Sequence, residues 1–195
     1  MNLAEIKDRI FRMTNHIYHD TFHMRDLVND ALNIIATEAK LEAETTINVT
    51  PGTAKYPLPG DYKSPRALIE GTFDCPIRIY DLVPIEEVSC GYSIWNGEII
   101  IKPTPTQNVT LNFYYYKFPS ELKNDEDIPD IDPQYHEILA AYAAAMILSL
   151  PGVEGVSNAL RDRYFAMWDE GRLRFQADME RKNRQRSVRK VGQIR

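Results

Sequence analysis

Cysteine is almost missing from this chain of 195 residues: there are two, Cys75 and Cys90. Two thiols without CxxC spacing cannot build a disulfide scaffold, so a reducing compartment is expected. Glycine is sparse, nine in all, and spells neither GxGxxG nor a Walker loop, which argues against a nucleotide site. No apolar run reaches the ~20 residues that span a bilayer; the longest, Ile138 to Leu150, falls well short. The opening MNLAEIKDRIFRM places acids where a signal peptide needs an apolar core. A soluble chain made in the cytoplasm, with no membrane contact, is the expectation. What is present is 44% hydrophobic residues, enough for a substantial core, and a 26% charged fraction that does not suit wholesale disorder.

The net charge of −5 conceals an asymmetry. From Arg181 to Arg195 the sequence RKNRQRSVRKVGQIR holds seven bases and no acid; 23 minus 7 leaves 16 bases against 28 acids in the remainder, a charge of −12. A basic end on an acidic body suggests a contact with something else.

The period of the hydrophobic pattern changes twice. Leu3, Ile6, Ile10 and Met13 predict a short amphipathic helix, and Asp20 or Thr21 caps a second one running to about Ala43 on Met24, Leu27, Val28, Ala31, Leu32, Ile35, Ala39 and Leu41. Between Thr45 and Phe118 the period is two. Asn96-Gly97, flanked by β-formers, predicts a type I′ hairpin turn, and Val109, Leu111, Phe113 and Tyr115 alternate with Thr110, Asn112, Tyr114 and Tyr116 along a final strand. Pro57 and Pro59 exclude their segment from a central strand. After the acidic connection Asn124–Asp132, Asp132 caps and Pro133 opens a helix through Leu150 rich in alanine, and a last helix begins near Val153 with a stripe through Val156, Leu160, Tyr164, Met167, Trp168, Gly171, Phe175 and Met179. The fold class is therefore α+β, a four-helix core with an inserted antiparallel β module. Expected divisions are a helical hairpin at 1–44, the β module at 45–123, a helical pair at 124–180 and a basic extended tail at 181–195.

Little of this asks for catalysis or a cofactor. His16, His19 and His23 have spacings that suit a metal, but the Asp20–Thr21 helix boundary falls among them and would splay the rings. Asp125, Glu126, Asp127, Asp130 and Asp132 lack the glycine and distant glutamate of a calcium loop and read as a solvated connection. Neither cysteine has a histidine close in sequence. Tyr80, Tyr92, Trp95 and Tyr114–Tyr116 have few bases beside them, so packing is favoured over base stacking. The basic tail stands out, with Val188, Val191 and Ile194 as apolar anchors between charges, a pattern favouring an acidic protein surface over duplex phosphates.

Several stretches, taken in order, resemble the head–tail adaptor (connector, or head-completion) proteins of tailed bacteriophages. They are Leu27–Ile35 with its Asn29-Asp30-Ala31 centre, the turn Tyr56-Pro57-Leu58-Pro59-Gly60-Asp61-Tyr62, Asn96–Pro105 ending in Pro-x-Pro, Leu111–Pro119 with Leu122, and Pro133–Ile147 with Tyr142-Ala143-Ala144-Ala145. The resemblance implies a virion ring subunit at the neck rather than an enzyme: about twelve copies beneath a portal protein, touching the next tail or neck protein, with double-stranded DNA passing through without sequence-specific binding. It implies that the C-terminal helix and tail reach the portal, with Arg181, Lys182, Arg184, Arg186, Val188, Arg189, Lys190, Val191, Ile194 and Arg195 as the docking residues, ordering on contact. The alternatives are a DNA-binding accessory protein using the tail, and a small metal-dependent enzyme using His16–His23.

Overall fold

A computed structural model describes residues 1–71, 76–84, 90–151 and 158–191, the side chains of 76–77 and 183–191 excepted. It is α+β, and its contacts divide it into two compact units, one of residues 1–40 with 119–187 and one built on residues 41–118.

The helical unit begins with α1 (Leu3–Met13), whose Asn2 and Glu5 form a reciprocal capping box and whose Leu3, Ile6, Ile10 and Met13 are buried. Asp20 caps α2 (Thr21–Ala39) by accepting from the N–H groups of Phe22 and His23. The sequence pattern overshoots the end of α2. Lys40 takes a left-handed conformation (φ 54°), and the chain turns into a strand before Ala43. The β-branched run Thr45-Thr46-Ile47 and Val49 wins over helical spacing because it pairs along its whole length with a distant strand.

A 3₁₀ turn (Pro133–Tyr135), capped by Asp132, leads into α3 (His136–Ile147), which stops slightly before the expected Leu150. Its alanines 140, 141 and 143–145 are buried, and it packs on both α1 and α2. His136 is buried at its start: Nε2–H donates to the Ile131 carbonyl (3.0 Å), which leaves Nδ1 to accept from the Met1 amino group at 2.8 Å. The last helix, α4, spans Asn158–Val191; the expected start near Val153 lies outside the described residues.

The β unit holds two antiparallel sheets. One has the order β1 (Glu42–Val49), β7 (Val109–Lys117), β3 (Tyr62–Gly71), β4 (Pro76–Tyr80); the other has β2 (Lys55–Pro57), β6 (Glu98–Lys102), β5 (Gly91–Trp95). Pro57 sits on the edge strand β2, where its missing donor costs little. Asn96 and Gly97 both have positive φ (50° and 75°), the type I′ geometry, and join β5 to β6. The odd-numbered face of β7 supplies Leu111, Phe113 and Tyr115 to a core with Ile47, Val49, Leu68, Tyr92, Ile99 and Ile101. Tyr92 and Tyr115 are thus core residues, as packing predicted, whereas Trp95 beside the hairpin turn is 62% exposed.

Candidate docking helix and its supports

The stretches that resemble the adaptor proteins are brought together in pairs by the fold. In the helical unit, Asn29 of α2 uses both ends of its amide on Leu122: Nδ2 donates to the Leu122 carbonyl (3.0 Å) and Oδ1 accepts from the Leu122 N–H (2.9 Å). Leu122 is buried beside this double bond, so a polar helix residue and a Pro-x-x-Leu segment far along the chain form one joint. In the β unit, the Tyr115 hydroxyl donates to Asp61 Oδ1 (2.8 Å), the Phe118 N–H to the Asp61 carbonyl (2.8 Å) and the Leu58 N–H to the Gly97 carbonyl (2.9 Å). The proline-rich turn, the hairpin and the tyrosine-rich strand therefore interlock. Burial first, and the Asp61 hydrogen bond second, push the Tyr115 phenol up to about 12.

The acidic connection is a structured latch rather than a merely solvated loop. Asp127 Oδ2 accepts from the N–H groups of Lys123 (2.7 Å) and Asn124 (2.8 Å), which holds its carboxyl below the usual carboxylate range. Asp130 accepts from the Ser120 N–H (2.9 Å), and Asp125 pairs with Lys7 (2.7 Å). The carbonyls of Asp125 and Asp127 accept from the N–H groups of Ala4 and Leu3, so the loop satisfies orphan donors at the start of α1. The sequence signal for this was the Asn-x-x-Asp spacing at Asn124 and Asp127: the Asp127 N–H donates to the Asn124 carbonyl (3.1 Å) in a tight turn that brings the carboxylate back onto the N–H groups before it.

The three clustered histidines divide between two aromatic neighbours, Phe11 and Tyr18. His16 and His19 meet Phe11 edge-on at 4.3 and 5.0 Å, while His23 shares a hydrogen bond with the Tyr18 hydroxyl. Among the described residues no group of three or more His, Cys, Asp or Glu is placed to hold a metal ion.

α4 is seated in the helical unit by contacts from Tyr164 to Lys182. The Tyr164 hydroxyl donates to the Met13 carbonyl (3.2 Å), Trp168 meets Tyr142 at 4.9 Å, and Arg172 pairs with Glu38 of α2. A Cβ on Gly171 would lie 2.3 Å from Ile138 Cγ2, so α3 and α4 approach at a distance only glycine permits. Phe175 packs edge-on to Tyr135 at 4.9 Å, and the Tyr135 hydroxyl donates to Asp178. Burial, then that bond, raise the Tyr135 phenol to about 12.

At its basic end the structure departs from the sequence expectation. Residues 181–191 are helix, not extended chain. No glycine or proline interrupts the sequence between Gly171 and Gly192, and Arg, Lys and Gln are good helix formers, so a helix nucleated in the packed body simply continues. Of the ten docking candidates, Arg181 pairs with Asp178 (3.5 Å) and Lys182 with Asp132 (3.6 Å). Arg184, Arg186, Val188, Arg189, Lys190 and Val191 lie on the helical backbone, their side chains outside the described set, and Ile194 and Arg195 lie outside the described residues. No helix among the described residues is long and apolar enough to cross a membrane.

No curated protein matches the sequence significantly. The model of one family, SU10 adaptor protein, matches residues 1–191, nearly the whole chain. With its paired motifs, its β module set between helices and this match, the chain belongs to the SU10 adaptor protein family, a structural family of phage head–tail adaptors.

Proposed function

We propose that this chain is the subunit of a closed ring of about twelve copies between the portal and the tail, extending the channel through which double-stranded DNA leaves the head. Membership of a phage structural adaptor family implies a non-catalytic component of the virion; ring, portal and channel go beyond it. The observation that carries the reading is α4: 34 residues, about 51 Å at 1.5 Å per residue, seated in the helical unit and ending in a run of bases without an acid. Arg181, Lys182, Arg184, Arg186, Arg189, Lys190 and Arg195 supply charge-assisted contacts to an acidic portal surface. Val188 and Val191, one helical turn apart, and Ile194 fill shallow apolar sites between them. Repeated around a closed ring, contacts that are individually weak give a durable joint. The acidic remainder suits a conduit, because like charge keeps non-specific phosphate binding weak.

Electron microscopy of the native particle tests this through copy number and position. A ring of this chain between portal and tail is the expected result. Absence of the chain from the particle, combined with salt-dependent retardation of duplex DNA by the purified protein, would replace it with a DNA-binding accessory role.

A further inference from the structure

The start of the α3 segment grips α4 over two turns, up to and into the first residues of the basic run. Tyr135, only 8% exposed, packs its ring on Phe175 and donates its hydroxyl to Asp178. One turn further along, Lys182 meets Asp132, whose other oxygen accepts from the Gln134 N–H at 3.4 Å. Asp178 also pairs with Arg181. A single short segment, Asp132–Tyr135, thus holds α4 at residues 175, 178 and 182, which lie on one face at spacings of three and four. Asp132 is itself anchored as the cap of the 3₁₀ turn.

Beyond Lys182 the helix runs nine more residues to Val191, about 13.5 Å of rise. A lever of that length magnifies any looseness at its base. A tilt of about 15° at Lys182 displaces the far end by roughly 3.5 Å, enough to lose the register of a helix laid on a patterned surface.

We infer that Asp132, Tyr135 and Asp178 form a clasp that sets the direction of α4 beyond Lys182, and that they are positioning residues for docking. This rests on the proposal that the basic end docks. The clasp makes docking a rigid-helix event whose orientation is fixed before contact, so little ordering entropy is lost in making the joint.

The test uses the full chain with Cys75→Ser and Cys90→Ser, spin-labelled at Glu126→Cys and Ser187→Cys, with and without Tyr135→Phe/Asp132→Asn, the asparagine keeping the oxygen that accepts from the Gln134 N–H. The double variant keeps the ring contact with Phe175 and removes only the hydroxyl and the ion pair. The distance distribution by electron spin resonance is expected to broaden at least twofold. In parallel, the unlabelled variant, added to heads lacking this protein, is expected to join heads to tails roughly tenfold less efficiently, the scale of losing one or two such bonds. An unchanged distribution overturns the clasp. A broadened distribution with undiminished joining overturns its positioning role. A chain cut after Glu180 is the control: if it joins normally, the docking reading fails and the positioning role with it, while the distance measurement still reports on the clasp alone.

Discussion

Gly171→Ala pits two known effects against each other at one contact. Alanine is favoured over glycine in a helix interior by about 1 kcal/mol, so on an open helix face the change would stabilise. Here the new Cβ would lie 2.3 Å from Ile138 Cγ2 and 3.2 Å from its Cβ. That methyl cannot swing aside, because a β-branched side chain in a helix is held to one rotamer. Relief therefore requires α3 and α4 to separate, disturbing Trp168 against Tyr142 and Phe175 against Tyr135. Overpacking of this kind costs about 1–3 kcal/mol, and the expected net loss is about 1 kcal/mol. For a chain of this size that lowers the melting temperature by roughly 2–4 °C.

The same substitution made on Ile138→Ala should change sign. With the methyl gone, the helix-propensity gain remains and the second change stabilises by about 1 kcal/mol. The coupling between the two sites is then about 2 kcal/mol. Urea unfolding followed by tryptophan fluorescence measures it. The chain has two tryptophans, Trp95 and Trp168; replacing Trp95 with Phe leaves Trp168, which is buried in the helical unit, as the reporter. If Gly171→Ala stabilises the parent protein, the close approach of α3 and α4 is wrong. If the two changes simply add, Ile138 is not the obstacle.

Tyr92, Tyr115 and Tyr135 are each raised to about 12, mainly by burial. Because the folded state holds these protons more tightly than the unfolded one, the stability they contribute is complete below pH 10 and is lost as pH rises from about 10 to 12. Absorbance titration near 295 nm should show a late step in that window, coincident with loss of helix and sheet by circular dichroism. Arg66 and Glu42 form an ion pair with both side chains nearly buried, 13% and 12% exposed. Arg66→Ala should cost about 3 kcal/mol by leaving a buried carboxylate, and Arg66→Met/Glu42→Leu should recover most of it in the same urea assay. Removing residues 181–195 should leave the helical and β units folded, with an unchanged Trp168 transition, while head–tail joining is lost; normal joining by the truncated chain would refute docking through this end.

Much of the fold was legible because its signals are local. Asp20 and Asp132 announce helix starts by a side chain that reaches backbone N–H groups two or three residues on. Asn96-Gly97 announces its turn because both residues tolerate positive φ. The alternation along β7 told its core face from its outer face. The errors fall where a distant partner decides. Leu41 fits the stripe of α2 and the expected helix runs to about Ala43, yet both leave the helix because β1 pairs with β7 across some seventy residues of chain. The bases after Arg181 suggested a tail, although nothing in their sequence stops a helix that is already formed.

The amino-acid sequence by itself determined the order of helices and strands, most of their caps and turns, the buried faces and the charge contrast between the body and the basic end. These depend on periodicity, backbone freedom and composition, which a single chain segment carries within itself. Only the tertiary structure decided which segments meet: Asn29 with Leu122, Asp61 with Tyr115, Gly171 with Ile138, and Tyr135 with Asp178. Each joins residues far apart in sequence, and one residue's chemistry suits many partners. The choice is made when packing brings one of them within hydrogen-bond or van der Waals reach.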